Sequence, residues 1–230
     1  MVRLLAAAAV VLSMAGLVAQ DYPHAFPRTG TRQLVDNARV SVWEVNWPHG
    51  VSQPYHRHRY DMAGVYLRYG DITVTNPDGT ANTGQRFEVP RPYFQRKGIT
   101  HKEEAMGKPG DPERLAIMID LKDVPESTAP LSSGTPTAFP RDGATNVLEN
   151  ERVRMWDFTW REGQPAVARQ YLHDSVEVIV TGGTFRVRTP DGREVDRVVA
   201  PKDARFIPRG QVESAQAVSG SPRAITVEIK

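Results

Sequence analysis

Between Gly50 and Gly70 the chain reads GVSQPYHRHRYDMAGVYLRYG, with two histidines, His56 and His58, one residue apart. There are six histidines in all and no cysteine. On an extended strand, side chains at i and i+2 point to one face. Two imidazoles on one face can share a divalent ion, and imidazole suits zinc, iron, nickel and copper, whereas manganese wants more oxygen ligands. Without cysteine there is neither a thiolate site nor a disulfide, so histidine and carboxylate must hold any metal. Taken alone, the pair also fits two exposed or hydrogen-bonded histidines. Tyr55, Tyr60, Tyr66 and Arg68 flank it. Some of these would line a pocket and others would face solvent, because strand side chains alternate.

Such side chains need rigid extended elements to hold them. Arg39 to Trp47 alternates with period two, as does Arg152 to Trp160. Pro-Asp-Gly at 77–79 and 190–192 follows strand-like runs, with proline presetting φ and glycine accepting a positive φ, as hairpin turns require. No amphipathic helix is read in either half. The 230 residues contain 18 glycines and 18 prolines, with 40% hydrophobic and 24% charged residues, which fits a folded, turn-rich β protein. The net charge is +2 and the basic residues are scattered, which argues against a nucleic-acid surface. Residues 1–19 read as a signal peptide: Arg3, an apolar run from Leu4 to Leu12, then small residues with cleavage after Ala15 or Ala19. The mature chain is then expected to be periplasmic or secreted, with no membrane segment after cleavage.

The chain also repeats itself. AFPRTGTRQLVDNARVSVWEVNWPHG at 25–50 aligns without gaps to AFPRDGATNVLENERVRMWDFTWREG at 138–163. Both Trp43 and Trp47 find a tryptophan, Trp156 and Trp160, and these four are all the tryptophans present. The expected organisation is a first unit at 25–122, a Pro/Ser/Thr linker at 123–137 and a second unit at 138–230.

The spacing Gly50, His56, His58, Ala63, Gly70 resembles the first motif of the cupin family, G-x5-H-x-H-x3/4-E-x6-G. Arg96-Lys97-Gly98-Ile99-Thr100-His101 resembles the second, G-x5-P-x-G-x2-H-x3-N, at Gly98 and His101. Pro208-Arg209-Gly210 supplies that motif's proline and glycine in the second unit. The resemblance covers both units. It implies an all-β chain of two tandem jelly-roll barrels, a bicupin, with His56, His58 and His101 on one divalent transition metal. Iron leads, with nickel, copper, manganese or zinc as alternatives. The family glutamate falls on Ala63, or on Met62 with the shorter spacing, and the family asparagine on Ala105. Asp61, two residues before Ala63, shares its strand face and is a candidate carboxylate ligand. Some thiol dioxygenases of the family use three histidines alone, so the missing glutamate is compatible with catalysis.

In the second unit the ligand positions hold Arg169, Tyr171, Val176 and Glu213. That unit is read as metal-free, with Arg169 and Glu213 placed to pair. His24, His49 and His173 show no partner in the sequence and are read as surface residues. Tyr60 and Asp61 are the catalytic candidates beyond the metal, and Arg96 and Tyr66 the substrate-binding ones, Arg96 because a guanidinium pairs bidentately with a carboxylate. The function expected is a dioxygenase-type oxidoreductase acting on a small organic molecule. Isomerase or lyase chemistry would need a base from Tyr60 or Asp61. A non-catalytic metal- or ligand-binding protein is the alternative, and a homodimer is compatible with the resemblance.

Overall fold

The computed structural model describes residues 21–188 and 192–230. The leader at 1–19 and the turn residues Pro190 and Asp191 lie outside the described residues. Among the described residues there is no helix. The first half holds β1 (Thr31–Asp36), β2 (Val40–Asn46), β3 (Ser52–Arg57), β4 (Asp61–Arg68), β5 (Ile72–Thr75), β6 (Ala81–Thr83), β7 (Arg91–Gln95), β8 (Thr100–Ala105) and β9 (Leu115–Leu121). The second holds β10 (Thr145–Glu149), β11 (Val153–Thr159), β12 (Arg169–Gln170), β13 (Asp174–Thr181), β14 (Gly183–Arg188), β15 (Glu194–Val199), β16 (Ala204–Ile207), β17 (Val212–Glu213), β18 (Ala215–Ser219) and β19 (Arg223–Ile229). The five-stranded sheets of the two halves, β1-β2-β9-β4-β7 and β10-β11-β19-β13-β16, have one and the same order. A four-stranded sheet, β3-β8-β5-β6, accompanies the first, and the smaller sheets β15-β14-β18 and β12-β17 accompany the second.

Period-two alternation explains the layering. On β2, Val40 and Val42 point one way and Trp43 and Val45 the other. On β9, Ile117, Ile119 and Leu121 alternate with Ala116 and Met118 in the same manner. The first set meets Val153, Met155, Val176, Val178, Ile225 and Val227 of the second half in one apolar layer. The two five-stranded sheets are therefore packed face to face. The second set turns the other way and packs with Ile72 and Val74 of the four-stranded sheet.

The rim of that layer is tied by a reciprocal pair of ion contacts. Arg39 Nε donates to Asp174 Oδ2 at 2.9 Å, and Arg152 Nε lies 2.9 Å from Asp61 Oδ2. Arg39 and Arg152 are equivalent in the repeat, as are Asp61 and Asp174. Their remaining oxygens also match: Asp61 Oδ1 accepts from the Lys97 amide and Asp174 Oδ1 from the Arg209 amide, both at 2.9 Å. The halves face one another across an approximate two-fold axis, as the contacts of a symmetric pair do.

Candidate metal centre

His56 is on β3, His58 just beyond its end, and His101 on β8 directly opposite His56 in the antiparallel register. The register slips between Gln53 and His56, a bulge that re-aims the side chains following it. Past the strand end, the His58 amide donates to Ile99 O at 2.9 Å, and the Gly98 amide donates to His58 O at 2.7 Å. Gly98 has φ +92°, a conformation costly for any residue with a Cβ. This turn delivers His101 to the other two. The ring centroids lie 5.3 Å (His56–His58), 4.7 Å (His56–His101) and 5.2 Å (His58–His101) apart. One nitrogen from each ring lies within 4.8 Å of the others.

The protonation chemistry fits metal binding. His56 Nδ1 is 3.0 Å from Pro54 O. A carbonyl only accepts, so Nδ1 carries the proton and Nε2 presents its lone pair. Nε2 of all three histidines is buried without a hydrogen-bond partner, which is costly unless something binds there. Burial lowers His56 to about 4 and His58 to about 3, so both are neutral ligands at pH 7. The donor set, three imidazoles, suits a first-row divalent ion.

A carboxylate not singled out in the sequence borders the cluster. Glu103 stands two residues after His101 on β8, and its Oε1 lies 3.4 Å from His101 Nε2. Its Oε2 accepts from Trp47 Nε1 at 2.9 Å and from Arg28 Nη1. Burial alone would raise its pKa, but Arg28, His101 and His56 outweigh that and hold it well below the usual carboxylate range. The i+2 relation to His101 was the available signal; Arg28 had only its place in the repeated Ala-Phe-Pro-Arg.

His58, His101 and Glu103 form part of the wall of a cavity of about 630 Å³. Met62 and Tyr66 line it too, so the family glutamate's position corresponds to Met62, while Ala63 lies in the layer between the halves. Asp61 shares Ala63's face and is held at the rim by Arg152 and Lys97, away from the histidines. Arg96 is largely exposed, pairs with Glu151 and approaches Asp61 at 3.7 Å, outside the cavity. Tyr60 is half-buried and stands edge-on to the His24 ring at 5.5 Å, not on the cavity wall. The cavity instead carries Arg91, Arg114, Tyr93 and Phe87. Arg114 is buried, donates from Nε to Gly70 O at 2.8 Å and leaves Nη2 without a partner. Gly70 has to be glycine, since a Cβ there would meet the Arg114 amide nitrogen at 2.3 Å.

Four sequence expectations are corrected. His24 is not a free surface residue: its Nε2 lies 3.1 Å from the buried Asp120. His49 contacts Asp111 O at 3.2 Å and His173 contacts Glu126 at 3.0 Å. Arg169 and Glu213 face each other in register but do not pair. Arg169 donates to Thr137 O, while Glu213 is taken by Arg205 and Arg197.

No protein-family model matches the chain, and no curated protein matches it. Solved structures do. AerE from Microcystis aeruginosa is 10% identical, over 91% of this chain and 99% of that one, with a TM-score of 0.56. A cupin 2 conserved barrel domain protein from Leptotrichia buccalis is 10% identical, over 87% and 88%, with a TM-score of 0.52. A salicylate 1,2-dioxygenase from Pseudaminobacter salicylatoxidans is 9% identical, over 86% and 76%, with a TM-score of 0.56. At these identities the likeness is one of fold: this all-β chain has the fold of cupin-domain proteins, with a three-histidine cluster inside it.

Proposed function

We propose that the chain is a secreted or periplasmic bicupin, two tandem barrels behind a leader at 1–19, and a dioxygenase-type oxidoreductase. His56, His58 and His101 would hold one divalent transition metal, iron first among the candidates. The observation that carries this is the convergence of three buried imidazoles, one nitrogen from each within 4.8 Å of the others, beside a cavity of about 630 Å³. When bound, the metal supplies a Lewis-acidic and redox-active centre with coordination positions open to the cavity. Glu103, with Oε1 3.4 Å from His101 Nε2, lends the centre a negative charge. Held by Arg28 and Trp47, it is too weak a base to move protons at neutral pH, which disfavours isomerase or lyase chemistry. Burial keeps Tyr66 protonated, so its hydroxyl is a donor towards substrate, whereas the Tyr93 hydroxyl, raised by burial to about 12, already donates to Gln95 Oε1 at 2.5 Å. The free Nη2 of Arg114, with Arg91 near, selects a small carboxylate, and the rings of Tyr66 and Phe87 select an apolar body for it. Arg114 thus takes the substrate role that Arg96, at the rim, is placed too far away to fill. The fold is also that of a salicylate 1,2-dioxygenase, which is compatible with this chemistry.

The test is metal content of the purified chain by elemental mass spectrometry, followed by oxygen uptake with a panel of small carboxylates. One metal per chain is expected, lost in His56→Ala and in His101→Ala. No metal after reconstitution with Fe, Mn, Ni, Cu and Zn would overturn the reading. Metal without oxygen uptake would favour a non-catalytic binding protein.

A further inference from the structure

The duplicated Phe-Pro-Arg places Arg28 in the first half and Arg141 in the second. Arg28 has the Glu103 carboxylate. The strand ladders identify what stands in Glu103's place in the second half. Val74 on β5 faces Glu103 on β8, and its counterpart Val187 on β14 faces Ala215 on β18. The arginine has been kept and its carboxylate removed.

Arg141 is left with Nε and Nη2 buried and unpartnered. Its guanidinium carbon lies 3.6, 4.6 and 4.8 Å from the ring centroids of Phe158, Phe139 and Trp160. Burial lowers its pKa to about 10, and Arg169 adds to the effect. The buried acids Glu177 and Glu213 offset this only in part, and Arg205 holds both in hydrogen bonds. A cavity of about 320 Å³ opens beside Arg141 and Ala215, with Arg161, Arg169, Gln164 and Trp160 in its wall and Asp142 as its acidic residue. That volume is within the range of small-ligand sites, about 300–1,000 Å³. An unpartnered buried guanidinium is costly, and a carboxylate can pair with it bidentately.

We propose that the second half binds a small monocarboxylate, its carboxylate on Arg141 where Glu103 sits beside Arg28, its apolar part against Phe158 and Trp160. The second half is then a ligand-binding unit as well as a packing partner. Arg169 and Arg161 supply further positive charge at the mouth.

The test is titration calorimetry of benzoate and of acetate into the full chain, in an Arg114→Met background that removes the first cavity's buried cation. One benzoate per chain is expected, bound more tightly than acetate. Ala215→Glu returns an internal carboxylate to Arg141, and Arg141→Met removes the cation. Each should weaken benzoate by about tenfold or more, the range lost with a charge-assisted hydrogen bond. Circular dichroism establishes that each variant folds. If one variant fails to fold, the other decides alone, with Arg141→Lys expected to keep part of the affinity. Absence of saturable benzoate binding, or equal affinity in the folded variants, would overturn the proposal. Neither result bears on the metal centre of the first half.

Discussion

The Arg28–Glu103 pair offers the sharpest test of how the metal centre is built. Both side chains are about one-tenth exposed, at 9% and 10%. Removing one member strands the other charge in a buried setting, at a cost of about 3–5 kcal/mol. Glu103→Leu also removes the acceptor of Trp47 Nε1, which adds about 1 kcal/mol. For a chain of this size each kcal/mol lowers the melting midpoint by roughly 2–4 °C. Arg28→Met is therefore expected to lower it by about 6–20 °C and Glu103→Leu by about 8–24 °C. The double variant replaces the pair by apolar groups, a change that is often close to neutral. Its loss should fall well short of the sum of the single losses, and the difference is the coupling energy. The cycle is run by thermal denaturation on chelator-treated protein, so that metal binding does not add to stability. Single losses below about 1 kcal/mol, the range of exposed ion pairs, or strict additivity would refute a buried, coupled brace.

Other perturbations separate the site from the scaffold. Asp61→Asn and Asp174→Asn break equivalent ties at the rim between the halves; each should cost about 1–3 kcal/mol in denaturant melts. Neither should change metal content, and loss of metal in Asp61→Asn alone would restore Asp61 as a ligand. Gly98→Ala forces a Cβ into φ +92°, at a cost of about 1–2 kcal/mol. Because that turn clamps His58 to His101, metal affinity should drop too, and unchanged affinity would show that the clamp is dispensable. Glu228 is buried, and that burial raises its pKa despite the hydrogen bond from Trp156 at 2.7 Å. The folded state holds this proton more tightly than the unfolded one, so stability falls as pH rises through the raised pKa. Glu228→Gln keeps an acceptor for Trp156 and should be more stable than the wild type at pH 7, with the gain vanishing near pH 4. A Gln variant less stable at pH 7 would refute this.

Much of the site was written in the sequence. Period-two alternation marked β2 and β11, the duplication was plain from Ala25 and Ala138 onward, and the spacing of His56, His58 and His101 pointed to one centre. Each of these signals is local, because side chains on a strand alternate and motif spacing is counted along the chain. What sequence could not give was which face of a strand looks into the cavity. On β4 every residue from Asp61 to Tyr66 is buried, since one face covers the cavity and the other packs against the second half. Apolarity then carries no sign, and Asp61 read as a ligand when it is a rim tie repeated in Asp174. Glu103 was hidden for a related reason: its role depends on Arg28 and Trp47, which reach it from 75 and 56 residues away. The loss of its counterpart at Ala215, which leaves Arg141 unpartnered, emerges only when the ladders align β8 with β18. Strand order, register and sheet-on-sheet packing are set by contacts between distant segments, and those contacts decided which of the sequence's polar groups meet.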